Sequence, residues 1–172
     1  MYIVTFYSFK GGVGRSLALV NVAAQLASTG RTVLIVDFDL EAPGLHTFNL
    51  PKPKRGQLGL VDYVSEYLHS GKAPEDMTRF VYQCPTQSPL FETEQGSLWV
   101  MLAGHLGEGY ANRFNQIDWR DLYSRHNGYL LFENLKSQWK EFIKPDYVLI
   151  DSRTGHTDVG GICTRQLPDA VV

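Results

Sequence analysis

The stretch KGGVGRS at residues 10–16 lies between the strand-forming residues 2–7 and a helical pattern that begins near Leu17. A glycine-rich turn between a strand and a helix directs backbone N–H groups at one spot, which the positive end of the helix dipole also faces. Its glycines allow backbone angles that a Cβ would forbid, and they let the chain approach a ligand closely. This arrangement predicts a phosphate-binding loop.

The side chains of this loop add positive charge and a hydroxyl group. Lys10 and Arg15 supply the charge, and the Ser16 hydroxyl is placed to hold Mg²⁺. In the common pattern G-x-x-x-x-G-K-[ST], Phe9 takes the place of the first glycine and Arg15 that of the lysine. The expected nucleotide-binding residues of the loop are Lys10, Gly11, Gly12, Val13, Gly14, Arg15, Ser16 and Leu17.

The form K-G-G-x-G-[KR]-[ST] resembles the deviant Walker A loop of the ParA/MinD-like ATPases. The resemblance implies ATP and Mg²⁺ as cofactors. It also implies a catalytic role for Lys10, the early lysine that reaches the phosphates across a nucleotide-sandwich dimer. With arginine at position 15 the loop is similar to the less common KGGVGR branch, which suggests a bacterial multidomain protein of regulatory or defence type.

The first fifty residues predict a strand–helix–strand unit. Residues 2–7 and 32–38 are rich in strand formers, and residues 17–28 carry apolar residues at helical spacing. A unit of this length implies parallel strands joined by a right-handed crossover. We expect an open, mostly parallel α/β sheet flanked by helices, as in the SIMIBI-type P-loop NTPases. The helix has almost no polar face, so it is expected to be well buried.

The remaining elements follow from apolar periodicity and from turn residues. Residues 42–57 are predicted to be a loop, and the signal over 71–96 is weak apart from a short strand at 79–83. The apolar stripe of the helix at 129–143 is interpreted as core packing. The other predictions are helices at 58–68, 118–124 and 161–167, and strands at 98–103, 147–150 and from 170 onward.

Carboxylates follow two of these strand patterns. Asp37 and Asp39 stand at the end of strand 32–38, and Asp151 ends the apolar run 146–151. Ligands of open parallel sheets bind beyond the carboxyl ends of the strands, so these acids are expected to face the same cleft as the phosphate loop. A carboxylate there can hold Mg²⁺-bound water or position an attacking water.

The family resemblance gives these acids separate roles. It implies that Asp39 orients the hydrolytic water and that Asp37 belongs to the metal shell. Asp151 resembles the acid of a Walker B strand and would support Mg²⁺ with Ser16. Gly155 resembles the switch glycine that contacts the terminal phosphate. The alternative for Asp39 is a solvated strand end.

Two neighbouring charges have less specific interpretations. Arg153 is placed either to reach phosphate or a partner subunit, or to form a salt bridge with a nearby acid. Glu41 is interpreted as a surface or loop charge.

Length and composition set outer bounds on the function. The chain has 172 residues, 44% of them hydrophobic and 20% charged, which is ordinary for one globular domain. A net charge of −2 gives no support for nucleic-acid binding. No apolar run is long enough for a transmembrane segment, and a cytoplasmic location is expected. Cys84 and Cys163 are expected to be packed, reduced thiols.

Residues 1–172 are predicted to form the N-terminal part of a single P-loop ATPase domain, with a family-variable region at about 50–115. Because the chain stops where a strand begins, we expect a truncated chain or a processed part of a longer protein. In the ParA/MinD-like fold, further strands and the residues that hold the adenine base follow this point.

The leading functional hypothesis is a Mg-ATP-dependent, dimerising ATPase that acts as a molecular switch with slow hydrolysis. Its partners would be a second copy of the chain and unidentified proteins or attached domains. One alternative is a nucleotide-sensing interaction module with little or no hydrolysis. Another is a DNA-partitioning ATPase whose DNA-binding part is absent here. A membrane-positioning protein would need a terminal amphipathic helix, and a metabolic synthetase would need a dedicated substrate pocket.

Overall fold

The computed structural model describes residues 1–48, 50, 56–85, 96–155 and 158–172. The strands are β1 (Tyr2–Phe6), β2 (Thr32–Phe38), β3 (Tyr82–Gln83), β4 (Ser97–Met101), β5 (Tyr147–Ser152) and β6 (Ala170–Val171). The α-helices are α1 (Arg15–Ser28), α2 (Leu60–Ser70), α3 (Tyr110–Asn115), α4 (Trp119–Arg125), α5 (Gly128–Gln138) and α6 (Asp158–Gly161). π-Helical turns extend α5 over Trp139–Ile143 and α6 over Ile162–Gln166, and 3-10 turns lie at Leu45–Thr47 and Met77–Arg79.

The six strands form one sheet in the order β3-β4-β2-β5-β1-β6. All neighbouring pairs are parallel except β3, which runs antiparallel to β4 at one edge. The central strand β5 lies between β1 and β2, although it follows them by more than a hundred residues. This order confirms the predicted open, mostly parallel sheet, and it brings the ends of β1, β2 and β5 together.

Helices cover both faces of the sheet. On β2, Leu34 and Val36 point into one core cluster, while Val33 and Ile35 point into the other. The first cluster includes residues of α2, α4 and α5, whereas the second includes residues of α1. A strand that is buried on both faces needs apolar residues at every position, which explains the continuous apolar run of β2.

The prediction that the first helix is well buried is wrong. One face of α1 is buried, through residues such as Leu19 and Ala23, but Leu17 is 54% exposed and Val22 is 40% exposed. The sheet covers only one side of the helix, so the apolar residues on the other side remain at the surface. The exposed Leu17 lies next to the predicted phosphate loop.

Other differences from the predictions are local. The strand expected at 79–83 contains only Tyr82–Gln83, because Asp76 caps the preceding 3-10 turn through its side chain. Phe142 is 45% exposed rather than in the core, because the π-helical turn changes the phase of the helix at its end. The short helix α3 was not predicted. The predicted loop 42–57 and the weak region 71–96 lie partly outside the described residues.

Among the described residues, no helix has the length and hydropathy needed to cross a membrane.

Candidate phosphate-binding site

The predicted phosphate loop forms an open turn that leads directly into α1. Gly12 and Gly14 have φ angles of 74° and 82°, in the left-handed region that favours glycine. Gly14 precedes the first residue of α1, where no side chain caps the helix and no acidic residue lies in the first turn. The first N–H groups of the helix are therefore left for an anion.

This loop borders a cleft of about 560 Å³ at the carboxyl ends of β2 and β5. Most of the predicted nucleotide-binding residues line it, together with Asp39 and two residues that follow β5. The lining residues are Ser8, Gly11, Gly12, Val13, Gly14, Arg15, Ser16, Leu17, Asp39, Glu41, Ala42, Phe48, Arg153 and Thr154. Lys10 is exposed in the same loop, and Gly155, with a φ of 78°, lines a second, adjacent cleft of about 920 Å³.

The Arg15 side chain connects the loop to the carboxylates. Its Nε donates to Asp151 Oδ1 at 2.6 Å, and its Nη2 donates to Asp39 Oδ2 at 3.0 Å. Its Nη1 donates to Ser8 Oγ at 3.1 Å. Only 10% of the Arg15 side chain is exposed. The predicted meeting of loop and acids is therefore found, but the arginine faces the acids rather than open solvent.

Asp37 lies deeper than the other carboxylates. It is fully buried, and it is the register partner of Asp151 on the adjacent strand. Its Oδ1 accepts the Asp39 N–H at 3.1 Å and its Oδ2 accepts the Leu45 N–H at 3.2 Å. Burial raises the pKa of Asp37 from its ordinary 3.8 to about 7, with the Asp151 carboxylate as the next cause. Its role in the metal shell stays a prediction.

This raised pKa predicts a pH dependence of stability. Between about pH 4 and pH 7 the folded protein keeps a proton on Asp37 that the unfolded chain releases. The free energy of unfolding should therefore fall as the pH rises through that window, by on the order of 1–4 kcal/mol. Urea unfolding of the nucleotide-free protein at several pH values would measure it.

Asp37→Asn is the comparison for this measurement. The amide cannot ionise, so the variant should lose this part of the slope, although its NH₂ group faces one backbone donor and lowers stability at every pH. Parallel curves for wild type and variant would contradict the assignment to Asp37.

Asp151 has an oxygen that no described residue satisfies. The side chain is fully buried, with Oδ1 bound to Arg15 and Oδ2 without a hydrogen-bond partner among the described residues. An orphaned carboxylate oxygen is a ligand type that suits a hard divalent cation. Within the described ranges, no group of three or more His, Cys, Asp or Glu side chains forms a ready-made metal site.

Asp39 lies in a mostly enclosed position at the edge of the cleft. Its side chain is 17% exposed, so it reaches the cleft. Burial raises its pKa, and the Arg15 guanidinium opposes that effect. The solvated strand end considered above is not what is found, because Asp39 is paired and largely enclosed.

At this edge, the sequence left one contact undecided and did not predict another. Arg153 pairs with Glu41, so the loop after β5 is tied to the loop after β2 and the salt-bridge interpretation of Arg153 is confirmed. Tyr110 of the unpredicted helix α3 donates its hydroxyl to the Leu40 carbonyl at 2.8 Å. No sequence pattern marks either contact, because each joins residues at least seventy positions apart.

Comparisons with known proteins agree with this geometry. Residues 1–68 match a family model described as an AAA domain. Protein virC1 of Rhizobium rhizogenes is 49% identical over 43 residues, which are 25% of this chain and 19% of that protein. An iron-sulfur cluster carrier protein of Synechocystis sp. is 26% identical over 171 residues, 98% of this chain and 38% of that protein.

Among solved structures, the septum site-determining protein MinD of Pyrococcus horikoshii, complexed with Mg-ADP, has the same fold. Its TM-score is 0.65 at 20% identity, and the match covers 99% of this chain and 57% of that one. The chain thus spans less than two fifths of the two curated relatives and just over half of this structure. The chain therefore shares the fold of this MinD structure, and its loop motif resembles that of the ParA/MinD-like P-loop ATPases.

Proposed function

We propose that this chain binds Mg-ATP at the loop of residues 10–16 and serves as a nucleotide-dependent switch. One observation carries the proposal: the phosphate loop and Asp39 line one cleft, and Arg15 of the loop pairs with both Asp39 and the buried Asp151. These residues come from three separate segments of the chain. That MinD of P. horikoshii was solved with Mg-ADP supports the same ligand class here.

The residues suited to Mg²⁺ are Asp151, through its unpartnered oxygen, and Ser16, with Asp37 behind them. When bound, the ion would neutralise charge on the terminal phosphates. The backbone N–H groups of the loop and of the first turn of α1 would hold the phosphate oxygens. Gly155, with its left-handed backbone, would sense the terminal phosphate.

Slow hydrolysis is the proposed reaction. Asp39 would orient the attacking water and accept its proton, and its raised pKa makes it a stronger base than an exposed aspartate. Because Arg15 holds Asp39 in the nucleotide-free protein, this carboxylate becomes available only after Arg15 turns toward the phosphates.

Nucleotide-dependent dimerisation is the proposed output. Lys10 is exposed beside the cleft, as a lysine that acts across a two-fold axis must be. Large apolar side chains of the same segment are exposed as well: Phe9 is 68%, Val13 63% and Leu17 54% exposed. Exposed apolar residues grouped around a binding site are typical of a protein interface.

A second candidate is a sensing module that binds nucleotide without turnover. The hydrogen bond from Arg15 to Asp39 favours it, because a catalytic carboxylate that stays paired cannot take a proton. Tight Mg-ATP binding without phosphate release would select this candidate.

The test combines calorimetry with light scattering on the full chain. Wild type is expected to bind Mg-ATP and to dimerise with a non-hydrolysable analogue. Lys10→Ala should weaken the dimer at least about tenfold, because an unpaired phosphate charge would remain at the interface. Lys72→Ala, which removes an exposed lysine outside the cleft, should behave as wild type. A wild type that does not bind Mg-ATP would refute the function, and a Lys10→Ala dimer of normal strength would refute the role of Lys10.

A further inference from the structure

Arg15 presents one edge of its guanidinium to two different carboxylates. Nε and Nη2 lie on the same side of the planar group, and this edge normally takes both oxygens of a single carboxylate. Here it takes Asp151 Oδ1 at 2.6 Å and Asp39 Oδ2 at 3.0 Å. Oxygens of two separate acids are therefore held side by side in a largely buried place.

Such an arrangement needs a cation between the acids. Two carboxylate oxygens in contact with one guanidinium edge would repel each other strongly without it, and the fully buried Asp151 has no solvent to screen that repulsion. Asp37, the register partner of Asp151, adds a third acidic group. The unpartnered Asp151 Oδ2 points independently to a further ligand at the same place.

We propose that Arg15 is a built-in counter-ion that takes the place of the divalent cation until nucleotide arrives. Mg²⁺ alone binds weakly, because a guanidinium held on Asp151 Oδ1 and Asp39 Oδ2 repels a second cation placed at Asp151 Oδ2. Nucleotide phosphates offer Arg15 a better set of acceptors, so the arginine leaves the carboxylates and the metal enters with the nucleotide. This inference rests on the proposed function, and it assigns Arg15 a role in the order of binding beyond phosphate contact.

The test measures metal binding without nucleotide. Mn²⁺ is titrated into the full chain, and free Mn²⁺ is followed by electron paramagnetic resonance. Arg15→Met should bind Mn²⁺ at least about tenfold more tightly than wild type, since Asp39 and Asp151 lose the guanidinium that pairs with both of them. Its melting temperature in EDTA should fall by roughly 5–10 °C, and Mg²⁺ should restore part of that loss. The melting temperature of wild type should not respond to Mg²⁺ alone. If Arg15→Met does not fold, Arg15→Gln, which is also neutral but polar, replaces it in both measurements.

Arg113→Met is the matched control. Arg113 pairs with the mostly buried Asp62 at 3.0 Å, so its loss also removes the charge partner of an enclosed acid, but of only one, which keeps its backbone hydrogen bonds. It should lower the melting temperature without gaining Mn²⁺ affinity. The counter-ion role is overturned if wild type binds Mn²⁺ as tightly as Arg15→Met, or if the Arg15 variants gain no affinity.

These outcomes separate the inference from the proposed function. A wild type that binds Mg-ATP, with Arg15 variants that gain no Mn²⁺ affinity, overturns the counter-ion role alone. A wild type that does not bind Mg-ATP, with Arg15→Met gaining a Mn²⁺ site, removes the function and leaves the arginine as a structural counter-ion.

Discussion

Asp39→Asn is expected to slow phosphate release from bound ATP by about 100- to 1000-fold while Mg-ATP still binds. The amide has the shape of the carboxylate but cannot take a proton from the attacking water. Asp39 is also the most exposed of the three carboxylates at this edge, so it has the best access to a water in the cleft. Single-turnover phosphate release at saturating Mg-ATP measures the effect, and calorimetry measures binding.

The control for this change is Asp146→Asn. Asp146 precedes β5 at the end of the strand opposite to Asp151, where its carboxylate accepts the Thr32 N–H at 2.9 Å. An asparagine oxygen keeps that hydrogen bond, so hydrolysis should match wild type. Equal phosphate release from Asp39→Asn and wild type would remove Asp39 from the mechanism. No release from either protein would favour the sensing module.

Gly14→Val is expected to weaken Mg-ATP binding at least about 100-fold, or by ~2.7 kcal/mol. A Cβ built on Gly14 meets no protein atom within 4 Å, so the space beside it is open and faces the cleft. A branched side chain there would occupy the position of the phosphates and disturb the first turn of α1. The φ of 82° adds backbone strain that valine tolerates poorly.

Gly71→Val is the control that separates the effect of backbone strain from the effect of blocking the phosphate position. Gly71 has a φ of 69°, and a Cβ on it also meets nothing within 4 Å, but it ends α2 and does not line the cleft. Both variants should lose comparable stability, as judged by urea unfolding, while only Gly14→Val should lose affinity in calorimetry. Equal affinities for the two variants would contradict phosphate binding at the loop.

Local signals were sufficient for the framework of the fold. The apolar run of residues 32–38 predicted β2 with the observed bounds, because a strand that is buried on both faces carries apolar residues at nearly every position. The glycines at 12 and 14 predicted the loop, because few residue types other than glycine adopt left-handed backbone angles. Acids at the ends of apolar strands predicted the site edge, because parallel strands end together.

Predictions from the sequence were weakest for residues whose burial or pairing depends on tertiary contacts. Leu17 and Val22 read as core residues, yet the sheet reaches only the other face of α1. Glu41 read as a plain loop charge, yet it pairs with Arg153 from a distant strand end. Tyr110 had no visible role until the fold placed it against Leu40.

The sequence by itself determined that the chain has a phosphate loop, an α/β sheet and acids at one edge, because each of these leaves its mark within a few consecutive residues. The tertiary structure alone decided what Arg15 does. Its motif position suggests a phosphate ligand, but β5 packs between β1 and β2 and brings Asp151 and Asp39 to the two ends of one guanidinium edge. Charge compensation in a buried place depends on residues more than a hundred positions apart, which no local pattern records.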